Sequence, residues 1–133
     1  LQYTFAVSRD TEELSYLLKP RHSVILNSIK YIVESAHLHK KTVSVCGEMA
    51  NSLVNSILLV GLDVDELSMT PMYIPDIKAL LRSINYKDTK QMVNDILELK
   101  QSKDIEKYVK EKIIKYIMEI MPELREIRDE NIM

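Results

Sequence analysis

Residues 2–83 alternate short β-type runs with stretches of helical periodicity. Three runs rich in aromatic and β-branched residues predict short strands at residues 2–7, 42–46 and 66–69. Apolar residues then recur every three to four positions, which predicts helices at residues 24–37, 50–61 and about 74–83. Strand and helix follow each other three times, with connections of the length that parallel strands require. The pattern therefore predicts an α/β fold with a parallel sheet flanked by helices.

Single residues are expected to set the ends of these helices. Ser23 is a candidate N-cap for the first helix, Gly61 is a C-cap glycine for the second, and Pro75 suits the first turn of the third. Three parallel strands alone leave two exposed edges, which closure into a barrel would remove. The chain also opens on a strand-like segment without an initiator methionine, so we expect it to be a piece of a longer polypeptide.

The sequence changes character after the third helix. Two amphipathic helices are predicted at residues 87–99 and 105–121, where apolar residues again recur at helical spacing. Pro122 is expected to bound the second of them, and residues 123–133 form a charged tail with a weak helical signal. Two parts of one domain are expected: the strand–helix units at residues 1–85 and a helical extension at residues 86–133.

Composition and charge exclude several classes of protein. The 133 residues suffice for one domain, and the single cysteine forms no internal disulfide, which favours a reducing, cytoplasmic setting. The formal net charge is −2, with lysines interspersed among acids, which argues against a nucleic-acid surface and a polybasic membrane anchor. Apolar runs such as residues 57–60 are far shorter than the roughly 20 residues of a membrane span. No Cys/His cluster has metal-ligand spacing, so we expect a soluble protein without structural zinc.

Two residues with useful chemistry lie at the ends of predicted strands. Cys46 ends the second strand and Arg9 follows the first, and the carboxyl ends of parallel strands open into a shared crevice. A thiol there can act as a general acid or a nucleophile when it is partly exposed near a cation or a helix start. The alternative is that Cys46 is a small buried hydrophobic residue. The Arg9 guanidinium can bind a phosphate or a carboxylate through two parallel hydrogen bonds. The alternative is that Arg9 forms an ion pair with a neighbouring acid, Asp10 or Glu12.

The remaining polar residues are given structural interpretations. Glu48 is interpreted as an acid at a helix start rather than as a base. His37 and His39 are interpreted as surface residues at a helix end. The charged residues of the segment 103–115 are interpreted as a solvated helix face.

Several motifs in a fixed order give the chain a specific resemblance. They are CGEMA at 46–50, LLVGLD at 58–63, ELSM at 66–69, IPDIK at 74–78 with LRS at 81–83, and QYTFAVSR at 2–9. Together they resemble the carboxyl-terminal part of Enzyme I, the phosphoenolpyruvate-protein phosphotransferase family of the bacterial sugar phosphotransferase system. The cysteine motif is shared with pyruvate phosphate dikinase and phosphoenolpyruvate synthase, whereas the LSM, IP-IK and QYT elements are more similar to Enzyme I.

The resemblance implies a (β/α)8 TIM barrel that binds phosphoenolpyruvate and Mg²⁺, of which this chain supplies about the last three βα units and terminal helices. In that family the cysteine matching Cys46 is the proton donor to the enolate carbon, and the arginine matching Arg9 contacts the phosphoryl group. The phosphoryl group passes to a histidine on a separate domain and then to the phosphocarrier protein HPr, and pyruvate is released. The metal ligands are expected upstream of Leu1, so this chain alone is expected to be inactive. The resemblance also implies a cytoplasmic homodimer.

The chain departs from the family pattern at three places: Ser8 replaces an acid, Arg21-His22-Ser23 replaces a His-Pro loop, and Asn51-Ser52 replaces Gly-Asp. Two alternatives to a segment of an active Enzyme I are therefore kept. One is a related synthase, dikinase or regulatory paralogue, and the other is a non-catalytic barrel remnant used for assembly. The amphipathic helices of residues 87–121 either close the outside of the domain or offer a dimer contact.

Overall fold

Helices make up most of the computed structural model, which describes residues 2–7 and 19–123. The elements in chain order are α1 (Gln2–Phe5), α2 (Ser23–Leu38), β1 (Ser44–Cys46), α3 (Leu53–Gly61), β2 (Glu66–Ser68), α4 (Ile74–Ser83), α5 (Tyr86–Glu98), α6 (Ser102–Tyr108) and α7 (Ile114–Ile120). Two 3₁₀ helices, Glu48–Asn51 and Pro71–Tyr73, precede α3 and α4. A π-helical turn, Val109–Ile113, joins α6 to α7. The described chain is therefore mixed, with far more helix than strand.

The two strands pair in parallel, with the register Ser44↔Glu66, Val45↔Leu67 and Cys46↔Ser68. The crossover between them contains α3, which is the order that parallel pairing requires. Alternate side chains of a strand point to opposite faces. The central residues Val45 and Leu67 are half-buried, with Leu67 packed against the core, and the flanking residues are exposed. Two of the three predicted strands are thus confirmed, and the described residues contain this two-stranded sheet rather than a barrel.

The strand predicted at residues 2–7 is wrong. Residues Gln2–Phe5 form a single helical turn. A strand needs a neighbour for its backbone N–H and C=O groups, whereas a helical turn satisfies part of them locally. In the part of the chain that the structure describes, the sheet consists of β1 and β2 alone, and the segment pairs with neither of them.

The helix α2 begins one residue earlier than predicted, and His22 rather than Ser23 is its N-cap. The backbone of His22 is extended, with φ −62° and ψ 137°, and its Nδ1 atom accepts a hydrogen bond from the N–H of Val24 at 3.3 Å. The imidazole nitrogen thus provides the acceptor that a serine oxygen usually provides at this position. The helix buries three apolar side chains, Ile25, Leu26 and Val33.

The helix α3 lies in the core, and each of its residues except Val60 is buried. The sequence predicts one helix over residues 50–61, but the structure divides it. Ala50 belongs to the 3₁₀ helix, and Ser52 is the N-cap of α3, its Oγ accepting from the N–H of Asn55 at 3.3 Å. The extended backbone of Ser52, with ψ 135°, separates the two helical segments.

Gly61 is required by close packing and is not a C-cap. It is the last residue of α3, and Leu62, with φ −85°, is the C-cap. A Cβ atom at Gly61 would overlap Cγ2 of Val93 and would lie 2.8 Å from the carbonyl oxygen of Thr89, both on α5. The missing side chain therefore lets α3 and α5 approach closely, and the predicted capping role is wrong.

Gly61→Ala is expected to destabilise the protein by about 2 kcal/mol, because a methyl group is forced into a filled core. The side chain of Val93 can shift to relieve part of the overlap, but the Thr89 carbonyl is fixed in the backbone of α5. Urea unfolding of the two proteins measures the difference. The additional cost of Gly61→Ala is expected to fall in a Val93→Ala background, since the overlapping Cγ2 is then gone. An equally stable Gly61→Ala protein would contradict the close packing.

The helices α5, α6 and α7 turn their apolar faces toward the domain's own core. Their buried apolar residues are Val93, Ile96, Ile105, Val109, Ile113 and Ile117. The last four of these are spaced by four residues, which exceeds the 3.6 residues of an α-helical turn. The π-helical turn takes up this difference, because its wider turn returns every buried side chain to the same face. The helices predicted at residues 87–99 and 105–121 are thus confirmed, the second with this irregularity, and residues 124–133 of the charged tail lie outside the described residues.

Candidate functional site

Cys46 is the exposed last residue of β1. Its strand partner is Ser68, the last residue of β2, so the carboxyl ends of both strands lie side by side. The next backbone N–H, that of Gly47, donates to the carbonyl oxygen of Ser68 at 3.3 Å. The thiol therefore stands at the strand end where parallel α/β proteins place their sites, and it is open to solvent.

Gly47 turns the chain away from the strand immediately after the thiol. Its φ of 87° and ψ of −158° are rarely adopted by residues with a side chain. Nothing lies within 4 Å of a Cβ atom at this position, so the backbone conformation and not crowding requires glycine. Its carbonyl oxygen accepts from the N–H of Ala50 at 3.0 Å, at the start of the 3₁₀ helix. Glu48 lies in the first turn of that helix, in agreement with its interpretation as a helix acid.

Polar contacts fix the segment between Cys46 and α3. The hydroxyl of Ser56 donates to the carbonyl oxygen of Ala50 at 3.4 Å. The side-chain oxygen of Asn55 accepts from Nη1 of Arg21 at 3.2 Å. Asn51 has a buried Oδ1 atom without a hydrogen-bond partner among the described residues, which costs free energy of folding. Apart from that oxygen, the turn that presents the thiol is anchored to the core.

Arg21 links three parts of the chain through a largely buried network. Besides its bond to Asn55, its Nε and Nη2 atoms donate to Oε1 and Oε2 of Glu106 in α6, at 3.4 and 3.2 Å. The side chains of Arg21 and Glu106 are 10% and 21% exposed. This two-point pairing ties the segment before α2 to the carboxyl-terminal helices. Sequence analysis missed the network, because its partners are 34 and 85 residues apart and leave no local signal.

A second polar cluster lies at the opposite end of the two strands. The Oδ2 atom of Asp65 accepts from the N–H of Val43 at 2.8 Å and lies 2.8 Å from Nε2 of His37. The hydrogen bond with His37, together with the Val43 N–H, holds the pKa of the Asp65 carboxyl below its ordinary value. His37 is exposed, as its interpretation as a surface residue requires, but it also ties the end of α2 to the loop before β2.

Asp63 extends this cluster to α5. Its carboxylate accepts hydrogen bonds from the Tyr86 hydroxyl and from Nζ of Lys90. Burial alone would raise the pKa of Asp63, but the hydrogen bonds from Lys90 and Tyr86 outweigh it and hold that pKa below its ordinary value. The hydrogen bond with Asp63 in turn raises the pKa of the Tyr86 hydroxyl. These contacts fasten α5 to the loop that follows α3.

Acid is expected to weaken the contact between Asp63 and α5. A carboxyl whose folded-state pKa is depressed contributes stability above its unfolded pKa, near 3.8, and loses that contribution as the pH falls through the folded-state value. Because Asp63 and Lys90 are partly exposed, we expect Asp63→Asn to cost only about 0.5 kcal/mol near neutral pH. The variant should also lose less stability than the parent on acidification. Urea unfolding at neutral pH and at acidic pH tests this, and an unchanged pH dependence would contradict it.

Neither a metal cluster nor a membrane span is found in the described residues. Within residues 2–7 and 19–123, no three His, Cys, Asp or Glu side chains come together in a way that could hold a metal ion. In the same ranges, no helix combines the length and the apolar character needed to cross a bilayer.

Of the two predicted site residues, the structure describes Cys46 and places Ser68 beside it. Arg9 lies outside the described residues, and its role stays a prediction. Sequence analysis did not single out Ser68 as a neighbour of the thiol. The signal was the predicted parallel pairing of the strands at residues 42–46 and 66–69, which brings the end of the second strand, Ser68-Met69, close to Cys46.

Comparison with known proteins identifies the family. Residues 1–86 match a family model described as "PEP-utilising enzyme, PEP-binding domain". The chain belongs to this PEP-utilising family. The matched range contains Arg9, Cys46 and both strands, and it ends at the first residue of α5.

Curated relatives of this PEP-utilising chain carry the name phosphoenolpyruvate-protein phosphotransferase. The protein of Haemophilus influenzae is 34% identical over 110 residues, which are 83% of this chain and 19% of the relative. The protein of Staphylococcus carnosus is 34% identical over 111 residues, 84% of this chain and 19% of the relative. For Bacillus subtilis the identity is 32% over 111 residues, 84% of this chain and 20% of the relative. The motif resemblance is thus confirmed, and the chain spans about a fifth of the length of these relatives.

Proposed function

We propose that this chain is the carboxyl-terminal segment of a phosphoenolpyruvate-protein phosphotransferase of the Enzyme I type. In the proposed reaction, the phosphoryl group of phosphoenolpyruvate passes to a histidine on another domain and then to HPr, and pyruvate is released. The family match over residues 1–86 and the names of the curated relatives support this proposal. Because the chain spans about a fifth of those relatives, we expect the complete reaction to need the rest of the polypeptide and the isolated chain to be inactive.

The observation that carries the proposal is the position of Cys46, exposed at the carboxyl end of a parallel strand. When the P–O bond of phosphoenolpyruvate breaks, its electron pair stays on the oxygen and leaves an enolate. The methylene carbon of that enolate must gain a proton to give pyruvate. The Cys46 thiol donates this proton, and the resulting thiolate regains one from water. The open space beside Gly47 leaves room for a small substrate next to the thiol.

Arg9 is proposed to bind the phosphoryl group of the same substrate. A guanidinium presents two parallel N–H donors to phosphate oxygens and keeps its charge throughout the reaction. Its positive charge offsets the charge on those oxygens while the phosphoryl group is transferred. The inclusion of Arg9 and Cys46 in one matched PEP-binding domain supports a shared site.

The proposal includes a barrel and a magnesium ion. We propose that β1, α3, β2 and α4 are the last units of a (β/α)8 TIM barrel, whose other strands pair with the free edges of the two-stranded sheet. The exposed face of the sheet, which carries Cys46 and Ser68, then points into the barrel. Mg²⁺ is proposed to bind carboxylates upstream of Leu1, as the resemblance to the Enzyme I family implies.

A cytoplasmic homodimer completes the proposal. The single cysteine is a free thiol, which suits a reducing compartment. The apolar faces of α5, α6 and α7 are buried against the core of this chain, which argues against a dimer contact through them. On α2, the side chains of Val24, Tyr31 and Ile32 are 44%, 73% and 54% exposed, and we expect another part of the assembly to cover them.

The rate at which iodoacetamide alkylates Cys46 tests the proposal. In the intact protein, phosphoenolpyruvate with Mg²⁺ is expected to slow alkylation strongly, because the substrate covers the thiol. Magnesium sulfate at the same concentration is the control for ionic strength and is expected to have little effect. The isolated 133-residue chain is expected to show no protection, because the rest of the site is missing. Peptide mass spectrometry measures the modified fraction.

Two results of this experiment would contradict the proposal. Equal alkylation rates with and without the ligand, in an intact protein for which calorimetry shows phosphoenolpyruvate binding, would remove Cys46 from the substrate site. The non-catalytic barrel remnant would then be the better account. Full protection of the isolated chain would contradict the composite site, since this chain would then bind the substrate without the upstream residues.

A further inference from the structure

A cavity of about 690 Å³ opens between the segment before α2 and the outer side of α6. Four exposed lysines line it: Lys19, Lys103, Lys107 and Lys110. Its volume lies in the range of pockets that bind small molecules. Three of the four lysines lie beyond residue 86, where the family match ends, and Cys46 does not line the cavity. The cavity is therefore separate from the proposed phosphoenolpyruvate site.

Helical spacing brings the lysines together. Lys103, Lys107 and Lys110 are four and then three residues apart, so they share one face of α6 and the π-helical turn. Lys19 reaches the same cavity from the segment before α2. Like charges at this spacing repel one another and destabilise the helix slightly. An anion between them would remove that repulsion.

The acids of the cavity leave most of this charge uncompensated. Glu106 also lines the cavity, but both of its carboxylate oxygens accept hydrogen bonds from Arg21, at 3.4 and 3.2 Å, so its charge is compensated by the guanidinium. Within the described part of the chain, none of the four lysines forms an ion pair or a side-chain hydrogen bond. Against the four lysines stand the carboxylates of Glu106 and Glu111, so the described lining residues carry a formal net charge of +2, or +3 when Arg21, which pairs with Glu106, is counted, in a chain of net charge −2.

We propose that this cavity binds a small phosphorylated molecule that carries at least two negative charges. Phosphate oxygens accept several charge-assisted hydrogen bonds at once, and lysine ammonium groups supply such donors from several directions. The concave shape and the volume suit a compact ligand such as a diphosphate ester or a mononucleotide. The pairing of Arg21 with Glu106 contributes to this site indirectly, because it compensates the charge of the second lining carboxylate.

Calorimetric titration of the intact protein with inorganic pyrophosphate, at low ionic strength where charge screening is weak, tests the proposal. We expect the parent to bind pyrophosphate. The triple variant K103Q/K107Q/K110Q is expected to bind at least about tenfold more weakly, because each lysine supplies a charge-assisted hydrogen bond. The control variant K41Q/K87Q/K100Q removes the same charge from exposed positions outside the cavity. Its affinity is expected to stay within about twofold of the parent's, since distant surface charges are screened.

Three results would overturn the proposal. One is equal weakening in both triple variants, which would show a general effect of net charge. Another is unchanged binding in K103Q/K107Q/K110Q, provided that circular dichroism shows the variant to be folded. The third is tighter binding of a hexaglutamate peptide than of pyrophosphate to the same lysines, which would show a surface for acidic polypeptides. Selective loss of pyrophosphate binding in the cavity variant, with a smaller loss in Lys19→Gln, would support it.

Discussion

Cys46→Ala is expected to lower the rate of phosphoenolpyruvate-dependent phosphorylation by the intact protein by about 10²–10⁴-fold, the usual contribution of a positioned general acid. In the proposed mechanism, the enolate in this variant lacks a positioned donor at its methylene carbon, so most of it recaptures the phosphoryl group before water protonates it. The loss should appear in kcat rather than in KM, because the proposed role of Cys46 is at the reacting carbon and not at the groups that bind. A steady-state assay of pyruvate release measures both constants.

Two variants serve as controls for this prediction. Ser44 lies two residues before Cys46 on the same exposed face of β1, and Ser44→Ala is expected to leave the rate unchanged. Cys46→Ser keeps the size of the side chain but replaces the thiol by a much weaker acid, so its rate should resemble that of Cys46→Ala. Parent-like turnover in Cys46→Ala would contradict the role of the thiol.

Glu106→Leu is expected to destabilise the protein by about 3 kcal/mol, because it removes the carboxylate that pairs at two points with a charged and largely buried guanidinium. The Arg21 side chain is only 10% exposed, so water cannot replace the lost carboxylate. The hydrogen bond from Arg21 to Asn55 is to a neutral amide and does not neutralise the charge. Urea unfolding measures the loss of stability.

The double variant Arg21→Met/Glu106→Leu is the decisive control for this ion pair. It removes both charges, and we expect it to recover most of the stability lost in Glu106→Leu. Glu111→Leu removes an acid from an exposed position on the adjoining turn and is expected to change stability by no more than about 0.5 kcal/mol. Equal losses in Glu106→Leu and Glu111→Leu would show that the pairing with Arg21 adds nothing.

Elements that depend on neighbouring residues could be predicted from the sequence. The helix α4 begins at Ile74 and ends at Ser83 as predicted, because Pro75 suits a first helical turn and the apolar spacing is regular. The strands β1 and β2 follow from short β-type runs, and their parallel pairing follows from the helix between them. In each case the determining residues lie within the element or beside it.

Features that depend on distant residues could not be predicted. Residues 2–7 have the composition of a strand, but strand pairing depends on residues far along the chain, and in the structure this segment does not join β1 and β2. Gly61 has the position of a C-cap, but the reason for glycine is the approach of Val93 and Thr89, about 30 residues further along the chain. The π-helical turn is an intermediate case, since the four-residue spacing from Ile105 to Ile117 is visible in the sequence.

The candidate site also combines features set by neighbouring residues with features set by distant residues. The position of Cys46 at a strand end follows from the β-type run before it and the glycine after it. Its exposure did not follow, since the sequence left a buried cysteine as an alternative that the structure does not bear out. The network that anchors this region joins Arg21, Asn55 and Glu106 from three separate segments, and the sequence alone gives no reason to group them. The lysine cavity combines both cases, because helical spacing aligns three lysines while tertiary folding brings Lys19 to them.

The handedness of the methyl group in the product pyruvate is the most direct test of the central claim, that Cys46 protonates the enolate carbon. Phosphoenolpyruvate with deuterium and tritium in defined positions on that carbon yields a chiral methyl group when hydrogen is added to one face. We predict pyruvate of a single handedness from the intact protein and a racemic methyl group from Cys46→Ala, because a free enolate is protonated by water on both faces. The same single handedness from Cys46→Ala would contradict the claim, since another group would then be the donor.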